Sequence, residues 1–358
     1  MKNSMKPRER VLAALSHEET DRTPRDLGGT AVSGINLAAY RSLVEYLDLD
    51  LSVEIFRERI RHAKIAEEVL QRFRVDTRPI FPPGCFEVGD PDENGICTDG
   101  FGIRRALSSE AGHWDIVDAP LMEGELTRER IASQAKTWPD PDSGIYTAGL
   151  HEEALRLHRD TDYAVVLSLP IGSFHQAAWL RGFSPLLMDF AMDPKTGIYL
   201  LETLTDRWIA LCRNILDTCR ENIDAVVFID DVAISSGPLV SPAMFERILK
   251  PYEQRVFKFL HESTGARILF HSDGDITWHL DDLIEMGVDA VNPVEVSAGK
   301  MDDTAALKKQ FGDRISFWGA IDTPKVLPFG TPEEVSAEVR RRVSDLDRQG
   351  GYVLASVH

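Results

Sequence analysis

His271-Ser-Asp273 follows the apolar run Ala266-Arg-Ile-Leu-Phe270 and precedes a helix-like segment, so an imidazole and a carboxylate stand two residues apart at the expected end of a strand. Side chains at i and i+2 leave extended chain on the same side. This pair could therefore hold a divalent metal jointly or grip a substrate. Glu295 and His358 follow two later apolar runs, and a set of nitrogen and oxygen donors from His271, Asp273, Glu295 and His358 suits Zn²⁺, Mn²⁺, Fe²⁺, Co²⁺ or Ni²⁺. The plainer alternative has His271 and Asp273 bonded to each other and to substrate without metal, while Glu295 caps a helix. Asp230-Asp231 ends another apolar run. Adjacent carboxylates point to opposite sides of a strand, so one could serve as a general acid while the other caps a turn. Burial of the first among other carboxylates would raise its pKa.

More polar residues stand at or after apolar runs: Asp26, Asp76, Arg78, Ser173, His175, Asn292 and Asp322. Asp76 joins Asp230 and Asp231 as an expected catalytic carboxylate. Arg78, His175, Arg181, Asn292 and Asp322 are the expected substrate contacts. Arg181 reads equally well as a surface residue of a helix.

The elements that must position these groups recur in a cycle. Short apolar runs are expected as strands at Asp21–Gly29, Val75–Phe81, Tyr163–Leu169, Asp224–Asp230, Arg267–Phe270, Asp289–Asn292, Ile315–Trp318 and Tyr352–Ala355. Helical spacing is expected between them, over Leu37–Asp48, Val53–Phe73, Gly149–Arg159, Gly197–Glu221, Pro242–Thr264, Ile276–Met286, Thr304–Phe311 and Pro332–Gln349. Strands that are continuously apolar, alternating with amphipathic helices, imply a parallel sheet buried on both faces. Eight of them predict an α/β fold, a (β/α)8 TIM barrel spanning 1–358 as one domain, with an irregular insertion at about 82–145 after strand two. A doubly wound open sheet is the alternative, although no GxGxxG turn follows any strand.

The chain has 358 residues and a formal net charge of −18, which opposes non-specific contact with nucleic acid or anionic membranes. Cys85, Cys97, Cys212 and Cys219 form no CxxC pair. The amino terminus lacks a hydrophobic signal region, and no run approaches the roughly 20 apolar residues of a membrane span. A cytoplasmic protein acting on small molecules is the expectation.

The chain resembles the uroporphyrinogen decarboxylase superfamily. The resemblance rests on Arg8-Glu-Arg-Val-Leu-Ala-Ala-Leu15 before Asp21-Arg-Thr-Pro24, Leu180-Arg-Gly-Phe183, Asp230-Asp231, Ser241-Pro-Ala-Met-Phe245, Lys250-Pro-Tyr252 and His271-Ser-Asp-Gly274, followed by Gly287–Pro293, Gly319–Thr323, Pro328–Val335 and Gly350-Gly-Tyr352. It implies a (β/α)8 barrel with the active site at the strand ends. True uroporphyrinogen decarboxylases carry an Arg-Gln-Ala-Gly-Arg loop after strand one, where this chain has Arg25-Asp-Leu-Gly-Gly29. The resemblance is closer to the corrinoid-dependent methyltransferases, whose zinc is held by His-x-Cys after strand five and Cys after strand eight. Here those places hold His271-x-Asp273 and His358. Glu295 matches a carboxylate that can complete the zinc site in the related cobalamin-independent methionine synthases. The expected function is metal-assisted methyl transfer between a small methylated substrate, or a thiol or hydroxyl acceptor, and a corrinoid (cobalamin) on a separate partner protein. Zinc is among the candidate divalent metals. A decarboxylase of a non-porphyrin acid and a non-catalytic ligand-binding barrel are the alternatives. The superfamily is often dimeric, which makes a homodimer one expected assembly.

Overall fold

The computed structural model describes residues 4–108 and 112–357. Seven parallel strands form one curled sheet in chain order: β1 Thr77–Ile80, β2 Ala164–Ser168, β3 Ala225–Ile229, β4 Arg267–His271, β5 Ala290–Asn292, β6 Ser316–Ile321 and β7 Tyr352–Ser356. The expected first strand is reduced to a single bridge, Arg25 with Leu354. Leu354 N–H donates to Pro24 O and Asp26 N–H to Leu354 O on one side, and Asp76 N–H donates to Arg25 O on the other. The ring closes through these bonds. Pro24 has no N–H to extend the ladder, and the chain turns at Gly28 (φ 71°).

The strands read as unbroken apolar runs because both faces are covered, but the two faces differ. Ala164, Val166, Ala225, Val227, Leu269, Ala290, Trp318, Val353 and Ala355 pack with one another inside the ring. Val165, Leu167, Val226, Phe228, Ile268, Phe270, Val291 and Phe317 face the helices outside. Small or branched residues fill the interior, and most of the rings lie outward. Helix α1, Pro7–Leu15, sends Val11 and Leu15 into the inner cluster, where they meet residues from the strands' amino-terminal halves.

Outside the ring lie α2 Ser173–Arg181, α3 Pro194–Cys219, α4 Lys250–Ser263 and α5 Pro332–Leu346, among shorter helices. Ser241 caps the helical entry to α4 through the Met244 N–H. The insertion carries a three-stranded antiparallel sheet, Ile96–Thr98, Arg104–Leu107 and Trp114–Asp118, and a helix Arg128–Ala135. It is tied to α3 by Arg207, which donates to the carbonyls of Trp138 and Pro139.

The helix expected over Val53–Phe73 is corrected by the structure. Ile55–Arg57 and His62–Ala63 pair as a small antiparallel hairpin, and only Glu67–Arg72 is α-helical. Arg61 adopts a left-handed conformation (φ 51°) that breaks the helical spacing. Arg57 turns inward to donate to Ala31 O.

Candidate active site

Three carboxyl-end residues share one strand level: Ile229, His271 and Asn292 are register partners on β3, β4 and β5. Ile229 belongs to the inner cluster, so this level faces the ring axis at the strands' carboxyl ends. Asp231 and Asp273 lie two residues beyond Ile229 and His271 and return to that side. His271 Nε2 stands 4.0 Å from Asp231 Oδ1 and 3.7 Å from Asp273 Oδ1. One ligand-capable atom from each residue lies within 4.8 Å of the other two.

The imidazole is held from behind. His271 Nδ1 bonds to Asn292 Oδ1 at 2.6 Å, and Asn292 Nδ2 donates to Trp318 O at 3.0 Å. With its NH₂ committed to Trp318, the Asn292 amide presents oxygen to the ring, so Nδ1 carries the proton and Nε2 offers a lone pair toward the carboxylates. Donors about 2.0–2.2 Å from one ion are at most about 4.4 Å apart. The 3.7 and 4.0 Å separations satisfy that limit. One imidazole and two carboxylates form a hard to borderline donor set of the kind zinc and other first-row divalent ions take.

Asp231 carries the most connections. It accepts the Asp273 N–H at 3.0 Å through Oδ1, and its Oδ2 lies 3.3 Å from His175 Nδ1. Burial opposes its ionisation, yet the nearby His175 and the Asp273 N–H hold its carboxyl well below the usual carboxylate range. His175 is flanked by Trp179 at 4.7 Å and Phe183 at 5.4 Å, both edge-on. The loop after β4 is fixed by Glu295, whose Oε2 accepts the Gly274 N–H at 2.6 Å. Gly274 sits at φ 93°, and a Cβ there would lie 2.7 Å from Ile234 O, so no other residue fits without movement.

Asp230 points the other way, as the alternation of the strand requires. Its Oδ1 accepts the His175 N–H at 2.7 Å, and its Oδ2 accepts the Phe174 N–H at 3.2 Å and the Tyr252 hydroxyl at 2.5 Å. Helix α2 begins after Gly172, which has no side chain to cap it, and Asp230 supplies the missing acceptor from β3. Burial pushes Asp230 up to about 7, against the pull of Tyr252 and His175.

The expected site residues divide accordingly. Asp231, His271 and Asp273 converge, with His175 and Asn292 beside them. Glu295 braces the loop instead of joining the converging donors among the described residues. His358 lies outside the described residues. Asp322 caps the turn after β6 by accepting the Lys325 and Val326 N–H groups. Three expectations are corrected. Asp76 precedes β1, at the opposite end of the ring, and binds Arg10 at 2.6 Å and Arg22 at 2.7 Å. Arg78 faces outward, paired with Glu67 at 2.7 Å and stacked 3.5 Å over Tyr163. Arg181 is neither a surface residue nor a substrate contact: it is buried, pairs with Asp189 and donates to the carbonyls of Leu121 and Gly124.

The sequence reading missed Tyr252 as a partner of Asp230, and Arg59 and Arg105 altogether. The guanidinium groups of Arg59 and Arg105 lie 4.4 and 5.2 Å from the Trp179 ring. Burial and the neighbouring charge of Arg105 pull Arg59 down to about 10. The signal of Arg59 was hidden because Arg57-Glu-Arg59 reads as the solvated face of a helix.

The uroporphyrinogen decarboxylase (URO-D) family model matches residues 125–358, more than half of the chain. The chain belongs to this family. Arg59, Arg105 and most of the insertion precede the matched region. Among solved structures, the URO-D chain is similar to a methyltransferase from Methanosarcina mazei with a TM-score of 0.65 and 15% identity, over 99% of this chain and 94% of that one. At that identity the likeness speaks for the fold. A GH113 β-1,4-mannanase complex covers 57% of this chain and 82% of that one at 10% identity and a TM-score of 0.30, too slight to bear on function. No curated protein sequence matches the chain. No helix among the described residues is long and apolar enough to cross a membrane.

Proposed function

We propose that this URO-D-family chain is a metal-assisted methyltransferase, moving a methyl group between a small methylated molecule, or a thiol or hydroxyl acceptor, and a corrinoid carried by a separate protein. The observation that carries this reading is the convergence of Asp231, His271 and Asp273 at the strand ends, with His271 oriented by Asn292. The similar fold of a protein described as a methyltransferase supports it. A divalent ion held by Asp231, His271 and Asp273, zinc among the candidates, would when bound polarise the oxygen or sulfur that gives up or receives the methyl group.

The chain's own residues do the rest. Asn292 keeps the His271 lone pair aimed outward. His175, with Nδ1 beside Asp231 Oδ2, is placed to take the proton of a thiol or hydroxyl acceptor or to return one to a demethylated oxygen. Trp179 and Phe183 pack edge-on against that imidazole. Asp230 positions α2, and through it His175, and so acts on the chemistry only through its neighbours.

Metal analysis of untagged protein tests the site: the wild type should hold stoichiometric divalent metal, and His271→Ala and Asp231→Ala should each lose it. Equal, substoichiometric metal in all three would sink the reading. The absorbance of methylcobalamin incubated with the protein and a thiol, a phenol or tetrahydrofolate tests the transfer, and no spectral change with any of them counts against it.

A further inference from the structure

A cavity of about 350 Å³ lies beneath the insertion, between the hairpin residue Arg59, helix α2 and helix α3. It is distinct from the converging carboxylates yet shares a wall with them. Trp179 lines the cavity and its ring meets His175 edge-on, on the side where His175 reaches Asp231. Its volume falls in the range of roughly 300–1,000 Å³ typical of small-molecule sites.

The lining is graded. Away from the strand ends, Leu204, Trp208 and Leu211 of α3 and Ile145 and Tyr146 of the insertion make an apolar, partly aromatic floor. Toward Trp179, the lining becomes polar and positive, with Arg59, Arg105 and Gln176. Arg105 is neutralised by Asp99 at 2.5 Å. Arg207, on the floor, is committed to the carbonyls of Trp138 and Pro139, and the carboxylate of Glu87 lies on an exposed residue at the rim. Arg59 differs: among the described residues it donates no hydrogen bond and has no carboxylate within ion-pair distance, and its guanidinium lies over the Trp179 ring. A guanidinium without an ion pair at one end of an apolar chamber calls for an anionic acceptor from outside the chain.

We propose that this cavity binds a small aromatic molecule carrying one anionic oxygen group, a carboxylate or a phenolate, with its ring on the floor formed by α3 and the insertion and its anionic oxygen at the Arg59 guanidinium. This deepens the methyl-transfer reading by naming the substrate class, and rests on that reading for the chemistry but not for the binding. Arg59, Arg105, Phe86 and Phe101, which line the chamber, precede the region matched by the family model.

Calorimetric titration of the full chain with benzoate, with and without added zinc, tests the proposal, with 4-nitrophenolate as the phenolate arm. Benzoate should bind in both states and quench tryptophan fluorescence, since Trp179 and Trp208 line the cavity. Neutral benzamide should bind on the order of 10- to 100-fold more weakly, the worth of a charge-assisted hydrogen bond. Arg59→Gln should weaken benzoate by a similar factor, and Arg59→Lys, which keeps the charge, by less. Stronger binding of 4-nitrophenolate than of benzoate would assign the phenolate; the reverse assigns the carboxylate. No benzoate binding to the wild type, equal affinities for benzoate and benzamide, or unchanged affinity in Arg59→Gln would overturn the chamber. Zinc uptake without benzoate binding would remove this inference and leave the methyltransferase reading standing; benzoate binding without zinc uptake would do the opposite.

Discussion

Tyr252→Phe removes a single oxygen from a buried polar junction behind the site. The hydroxyl accepts the Ser173 N–H at 2.9 Å and donates to Asp230 Oδ2 at 2.5 Å. Without it the Ser173 N–H loses its partner, at a cost of about 1–3 kcal/mol at any pH. The second consequence depends on pH. Burial raises Asp230 from its ordinary 3.8 to about 7 even with Tyr252 pulling it down. Because the folded value lies above the unfolded one, the stability tied to the Asp230 proton is complete below about pH 4 and is lost as pH rises to about 7, after which the wild type loses no more from this group. In Tyr252→Phe the carboxyl lacks a donor that favours its charged form, so its folded value moves higher and the loss continues above pH 7 at about 1.4 kcal/mol per pH unit until that value is passed. Urea unfolding followed by tryptophan fluorescence should therefore show a gap between wild type and variant that is flat from roughly pH 5 to pH 6 and widens from about pH 7 to pH 9. A gap constant over the whole range would refute the reasoning, because it would mean that Asp230 does not titrate there.

Asn292→Ala should lower divalent-metal affinity about 10- to 100-fold while leaving all three converging side chains in place, measured by competition with a chromophoric chelator. Asp76→Asn should destabilise the fold by about 3–5 kcal/mol through its stranded Arg10 and Arg22 partners without changing metal content; loss of metal from a folded variant would return Asp76 to the site. Gly172→Ala should cost about 1–3 kcal/mol in urea unfolding, although Gly172 has an ordinary backbone conformation (φ −65°), because the new methyl would overlap the Asp230 carboxylate. An unchanged urea midpoint would show that Asp230 can move away from α2.

The strands of the ring were readable one by one, because a strand buried on both faces must be apolar throughout, and a short β-branched run set between stretches of helical spacing is too brief to form a helix of its own. The first strand was the exception. Its sequence contains Pro24 and two glycines, and it enters the ring by one bridge, to Leu354, far along the chain. The hairpin at Ile55–Ala63 was unreadable for a different reason: its charged residues mimic a solvated helix face, and only packing shows that Arg57 and Arg59 turn toward Phe86 and Trp179.

The pair Asp230-Asp231 shows where local reading ends. That the two carboxylates must diverge follows from strand geometry alone. Which one faces inward could have been inferred from size, since Ala225, Val227 and Ile229 are the small and branched set while Phe228 shares the parity of Asp230. Hydropathy carries no such information, because both faces are equally dry.

By itself the sequence determined the period of the fold, the end of the ring where chemistry belongs, and the presence of a histidine and carboxylates there. Those are properties of neighbouring residues, set by alternation, burial and spacing. Only the tertiary structure decided that Asp231 completes the set with His271 and Asp273, that Asp76, Arg78 and Arg181 serve the scaffold, and that Arg59 reaches a cavity beside Trp179. Each of those depends on side chains from segments far apart in the chain meeting at a few ångströms, a distance that closure of the ring imposes and no local pattern encodes.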